Sequence, residues 1–172
     1  MQVRIRTVPA QVVVYSAYEG PLDKVGPIFD HLQGWMRAHD GPDGPVTGVF
    51  IETRQPLDDS GAPQGAPDGK AEAWIALPPG DEGKRLMDAA RDDDEAGLGA
   101  KQVGAARVAA ALFEGHPLDL IVLQDQLRRF LRKKGYRLGD ETRFVYLEAD
   151  FTRINQWKTE VQVPIESKGT EA

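Results

Sequence analysis

The chain has 172 residues, no cysteine and a formal charge of −6, and 41% of its residues are hydrophobic. That length suffices for one sizeable domain or two small modules sharing a core. The composition excludes a disulfide framework, a thiol nucleophile and a cysteine-based metal site, and the acidic excess argues against a nonspecific grip on nucleic acid or an anionic membrane.

The first residues, "MQVRIRTVPAQVVVYS", lack the charged start and apolar run of a secretion signal, and no stretch of about 18 apolar residues occurs, so a cytoplasmic protein is expected. A short strand at residues 3–7 leads into a second at 11–18, both rich in β-branched or small apolar residues. The corner Gly20-Pro21 follows. Leu22, Val25, Ile28, Phe29, Leu32, Trp35 and Met36 then recur at helical spacing until "HDGPDGP" ends the helix. Strands at 48–52 and 70–78 come next. The Pro-, Gly- and Asp-rich stretch 54–70 between them predicts a mobile hairpin loop. An acidic linker, 79–97, holds a short helix around 84–91 and a solvated turn at 92–95.

The plan then repeats. Strands at 98–102 and 107–113 lead through His116-Pro117 into a helix carrying Leu118, Ile121, Val122, Leu127, Phe130 and Leu131, which Gly135 stops; strands at 144–148 and 158–165 close the chain. Specific residues recur with it. Tyr18-Glu19-Gly20 returns as Phe113-Glu114-Gly115, each followed by Pro-Leu-Asp, "GVFIE" matches "FVYLE", and "KAEAWIALP" matches "KTEVQVPI". The expected class is therefore α+β: a tandem duplication of a strand-strand-helix-strand-strand module, each an antiparallel sheet with one helix. Module one is 1–78, the acidic linker 79–97, module two 98–166 and the tail 167–172, all in a single domain.

Alternation along the third and fourth strands of each half sorts their side chains into two sets. One parity holds Val49, Ile51, Ala73, Ile75, Leu77, Val145, Leu147, Val161, Val163 and Ile165, an aliphatic set expected to meet the helices. The other holds Phe50, Glu52, Glu72, Trp74, Phe144, Tyr146, Glu148, Glu160 and Gln162, aromatics interleaved with acids. Such a surface suits a flat organic cation. Aromatic faces attract it by about 0.5–2 kcal/mol per good contact, and a partly desolvated carboxylate such as Glu160 adds its charge. The alternative is an exposed sheet face, with solvated acids and aromatic cross-strand pairs.

The duplicated modules, the opening "VPAQVVVYSAYEGPLDKVGPIF" and the closing "WKTEVQVPIE" resemble the GyrI-like, or AraC-type effector-binding, domain family, which includes the multidrug-sensing domains of BmrR-like and Rob-like regulators. The resemblance implies two modules packed with pseudo-twofold symmetry about a central cleft that takes lipophilic, often cationic, ligands. It places the family's acid at Glu160 and an aromatic at Trp157. With Tyr18 and Phe113 at the corners, the candidate ligand contacts are Glu160, Trp157, Tyr146, Phe144, Glu148, Trp74, Glu72, Phe50, Tyr18 and Phe113. No helix-turn-helix precedes the first module, so a binding protein without its own DNA-binding domain, a sensor or sequesterer, is expected. Standalone relatives also include hydrolases that open the cyclopropane of genotoxic natural products. In that alternative Glu160 is the catalytic residue that activates water.

Other groups point to structural roles. His31, His39 and His116 show no metal-ligand spacing. His31 is the one candidate axial ligand if the resemblance of haem-binding SOUL proteins to this fold extended to haem. No metal and no cofactor are expected. The run Arg128, Arg129, Arg132, Lys133 and Lys134 suits a helix C-terminus and its dipole, with an acidic protein partner as the alternative. The expected partner is a lipophilic small molecule, with a further protein or a second copy of the chain as open alternatives, and neither nucleic acid nor membrane.

Overall fold

The computed structural model describes residues 2–149 and 151–166. The tail at 167–172 lies outside them. The chain is α+β and divides into two units, Gln11–Val103 in one, and Met1–Ala10 with Gly104–Ala172 in the other.

In the first unit, strands β2 (Gln11–Pro21), β3 (Val46–Arg54), β4 (Asp68–Ala76) and β5 (Gly99–Val103) form an antiparallel sheet in the order β3-β4-β2-β5. Helix α1 (Gly26–Ala38) is amphipathic, as its spacing predicts, and buries Leu32, Trp35 and Met36. Helix α2 (Asp81–Asp92) is longer than the short helix expected in the linker and buries Leu86 and Ala90. These side chains meet Val14, Ala73 and Ile75 of the sheet in one core. The acidic run after α2 is a turn with Asp94 and Glu95 exposed, as expected, and Asp93 anchors it: Trp35 Nε1 donates to Asp93 Oδ2 at 3.1 Å, and Asp93 Oδ1 accepts from the Ala96 N–H at 3.2 Å. The loop between β3 and β4 is similarly organised. Asp58 Oδ1 accepts from the Ser60 and Ala62 backbone N–H groups and the Ser60 hydroxyl, and Leu57 pairs with Pro63.

In the second unit, β1 (Arg4–Val8), β6 (Ala106–Glu114), β7 (Thr142–Glu148) and β8 (Lys158–Pro164) run antiparallel in the order β1-β6-β8-β7. Helix α3 (Leu120–Lys133) buries Leu120, Leu127 and Leu131 and contacts β8. Pro117 opens the 3-10 turn before α3, and His116 caps it by accepting from the Leu118 N–H at 3.0 Å. A 3-10 segment at Phe151–Gln156, which the sequence reading did not anticipate, leads into β8.

The leading strand of each half pairs away from the half that carries it in sequence. β1 pairs with β6 over Arg4–Ala110 to Val8–Ala106, and β5 pairs with β2 over Gln11–Val103 to Tyr15–Gly99. Local patterning identifies a strand but not its neighbour, because a short antiparallel edge fits any free sheet edge with the right spacing.

The repeated Tyr-Glu-Gly and Phe-Glu-Gly corners have a packing reason. Gly20 and Gly115 sit at φ 141° and 156°, and a Cβ on either would meet the aromatic ring two residues earlier: 3.2 Å from the Tyr18 hydroxyl and 2.9 Å from Phe113 Cζ. Each aromatic thus lies over the glycine at the corner that follows it.

Candidate functional site

Directly opposed residues of an antiparallel ladder share a face, so the observed register decides which candidates stand together. In the first unit Trp74 opposes Tyr15 and Thr47, Glu72 opposes Ala17 and Val49, and Lys101 opposes Val13. In the second, Glu160 opposes Leu112 and Val145, Gln162 opposes Ala110 and Arg143, and Glu148 opposes Lys158. Glu72, Trp74, Glu148 and Glu160 therefore lie on the faces expected of them.

By strand pairing the remaining candidates do not share these faces, although Tyr18 still lines the groove beside Glu72. Phe144 and Tyr146 oppose Val161 and Thr159, on the other side of the sheet from Glu160, and Phe113 opposes Thr159 there too. Phe50 and Tyr18 both oppose Ala71, on the face that packs α1 and α2. The expected aromatic-and-acid parity is thus split, with Val49 and Val145 beside the acids in place of Phe50 and Phe144. A one-residue offset between strands flips every side chain, and parity within one strand carries no information about that offset. Trp157 is buried just before β8, edge-on to Tyr146 with ring centroids 6.0 Å apart, and its carbonyl accepts from the Gly115 N–H at 2.8 Å. Burial pushes the Tyr146 phenol above the usual tyrosine range, so at neutral pH it is an uncharged hydroxyl.

On the face carrying Glu72, Val13, Val49 and Trp74 form an apolar cluster, with Tyr15, Ile51 and Val103 packed against it. At its centre Lys101 Nζ lies 2.5 Å from Glu72 Oε1, 4.4 Å from the Tyr15 ring centroid and 5.3 Å from that of Trp74. Trp74 Nε1 donates to the same Glu72 oxygen at 2.7 Å. An open groove of about 280 Å³ runs beside Glu72, lined among others by Ala17, Glu19, Ile51 and Lys70. It continues into a second hollow of about 180 Å³ bounded by Gly20, Arg54 and Asp68.

The second unit repeats the charged part of this arrangement. Arg6 on β1 pairs with Glu160 Oε1, and Gln162 Nε2 donates to that oxygen at 2.7 Å. Where the first unit has Ala17 opposite its acid, the second has Leu112 opposite Glu160. Sequence reasoning missed Arg6, Lys101, Tyr15 and Ala17. One signal for the cations was present: Arg6 and Lys101 each stand two residues before the final valine of their strands, Val8 and Val103.

The histidines take local roles. His31 Nε2 donates to the Ala96 carbonyl at 2.5 Å, and His39 donates to the Trp35 carbonyl at 2.8 Å while stacking on the indole at 4.0 Å. The basic run at the end of α3 is partly bound at home. Arg128 donates to the Gly139 and Glu141 carbonyls and the Thr142 hydroxyl, and Arg129 pairs with Asp125 at 2.8 Å. Among the described residues no group of three or more His, Asp or Glu is placed to hold a metal ion, and no helix is long and apolar enough to cross a membrane.

The sequence model of the GyrI-like small molecule binding domain matches residues 1–166. The chain belongs to the GyrI-like family. No curated relative matches it. Solved structures with a similar fold include the C-terminal domain of EcmrR, at TM-score 0.68 and 16% identity over 96% of this chain and 97% of that one. SAV2435 bound to tetraphenylphosphonium matches at TM-score 0.59 and 12% identity over 97% and 95%. A hydrolase from Listeria innocua matches at TM-score 0.59 and 14% identity over 96% and 92%. Identities this low establish a common fold for this GyrI-like chain and do not transfer ligands or chemistry to it.

Proposed function

We propose that this GyrI-like chain captures a lipophilic aromatic small molecule, as a sensor or sequesterer, without turning it over. The carrying observation is the groove beside Glu72, which is open because Ala17 stands where the sister strand has Leu112. Its lining joins Ala17, Ile51, Ala71 and the Tyr18 ring to the charged Glu19, Lys70 and Glu72, and Ile51 ties it to the apolar cluster of Val13, Val49 and Trp74 on the same face. Family membership and the tetraphenylphosphonium held by SAV2435 support the reading.

Ala17→Leu tests it with little risk to the fold, since the sister strand already carries leucine opposite its acid. A neutral dye, N-phenyl-1-naphthylamine, and a cationic one, rhodamine 6G, are titrated against the protein by dye fluorescence and tryptophan quenching. At least one is expected to saturate at one site and to bind Ala17→Leu at least tenfold more weakly, with the Tm within about 2 °C of the parent. Saturation by neither dye, or a variant that binds as well as the parent, would overturn the proposal.

Turnover is not expected. Glu160 is held in an ion pair with Arg6, and its Oε1 accepts from both Arg6 and Gln162, an arrangement that fixes the acid rather than presenting it to water. A cyclopropane-bearing alkylator incubated with the protein should open at the buffer rate. Ring-opened product that scales with protein and disappears in Glu160→Gln would establish hydrolysis instead.

A further inference from the structure

We propose that Lys101, echoed by Arg6, is a built-in cation that fills the cation-binding position of this face, so that the ligand is an uncharged lipophilic aromatic and organic cations are disfavoured. The inference rests on the small-molecule reading above and adds the ligand's charge class.

A carboxylate with two aromatic rings around one point is what an organic cation seeks. Here that point holds the chain's own ammonium group, 2.5 Å from Glu72 Oε1 and within cation–π reach of Tyr15 and Trp74. The indole N–H of Trp74 fixes the same oxygen, so the acid is oriented towards the lysine. A ligand cation in the adjoining groove would meet a Glu72 whose charge Lys101 already offsets, so the attraction it could draw from that acid is reduced. A neutral ring loses nothing by this arrangement.

Recurrence in the second unit argues against a chance surface pair. Its acid, Glu160, is also met by a cation from the short leading strand, and the residue two positions on, Gln162 in place of Trp74, again donates to the paired oxygen. The aromatic rings are specific to the first unit. Lys101 is therefore the specificity-determining residue, and Arg6 has the smaller effect.

The test compares tetraphenylphosphonium with N-phenyl-1-naphthylamine by calorimetry on the full chain, in the parent, Lys101→Met and Arg6→Met. The parent is expected to bind the neutral probe at least tenfold more tightly than the cation. Lys101→Met should raise the ratio of cation to neutral affinity at least tenfold, Arg6→Met by no more than about threefold, and Glu72→Gln added to Lys101→Met should abolish the gain. A parent that binds the cation as tightly as the neutral probe shows that the lysine yields its place, and overturns the proposal even if Lys101→Met does not fold. An unchanged ratio in a folded Lys101→Met also overturns it. In both cases the small-molecule reading survives, because a probe has bound. Binding of neither probe to the parent removes both.

Discussion

Cut between Asp92 and Gly97, the two halves of the chain are each expected to remain without cooperative structure alone and to recover it when mixed. The reason lies in strand pairing. The N-terminal half keeps β2, β3 and β4 but loses β5, whose five residues pair with Gln11–Tyr15, and it carries β1 with no partner. The C-terminal half keeps β6, β7 and β8 but loses β1, whose five residues pair with residues 106–110. Each half thus presents an uncovered sheet edge, including the backbone of fully buried Val13 and Val14 in one and Val108 and Ala109 in the other. It also loses the cation that answers its acid, Lys101 for Glu72 and Arg6 for Glu160. Were residues 1–78 and 98–166 independent folding units, the two halves would instead fold separately. Near-UV circular dichroism and gel filtration distinguish these outcomes: native tryptophan signal and a single 1:1 species should appear on mixing. A cooperative thermal transition in either half alone would show that the exchanged strand is dispensable.

How much of this was legible depends on the range over which each feature is encoded. The helices were readable because their signals are local: Leu32, Trp35 and Met36 on α1 and Leu127 and Leu131 on α3 recur at helical spacing and are buried together. The strands and the duplicated order were readable for the same reason. Register was not. Phe144 and Glu160 have the same parity when their strands are aligned by the repeat, yet Phe144 opposes Val161 and stands on the other face. The destination of β1 and β5 was also hidden, since five-residue strands such as "RIRTV" and "GAKQV" carry no label for their partner. Both gaps bear on the candidate site. Glu72 and Glu160 were found as acids on the right faces, but the cations that neutralise them arrive on strands whose pairing no local pattern specifies. An acid that looks available in the sequence is thereby an ion-paired acid in the fold. Ala17 was missed for a related reason: a small residue declares a groove only once its opposite number, Glu72, and its counterpart opposite Glu160, Leu112, are known.

The corner glycines bear the second large expected effect. Gly115→Ala should destabilise the protein by about 2–3 kcal/mol, because a side chain at φ 156° is strained and its Cβ would lie 2.9 Å from Phe113 Cζ. For a chain of this size that is a fall in Tm of roughly 5–10 °C. Gly20→Ala should cost less, since the nearest atom is the Tyr18 hydroxyl at 3.2 Å, although φ is again positive at 141°. Thermal unfolding of a Gly115→Ala, Phe113→Leu double variant separates the two causes. If the ring contact dominates, the double variant costs clearly less than the sum of the single ones; if backbone strain dominates, the costs add. Gly34→Ala is the control. Gly34 lies inside α1 with nothing within 4 Å of an added Cβ, so alanine should stabilise there by about 0.5–1 kcal/mol through helix propensity. A neutral Gly115→Ala beside a stabilising Gly34→Ala would mean that neither the backbone angle nor the Phe113 contact is what requires glycine at this corner.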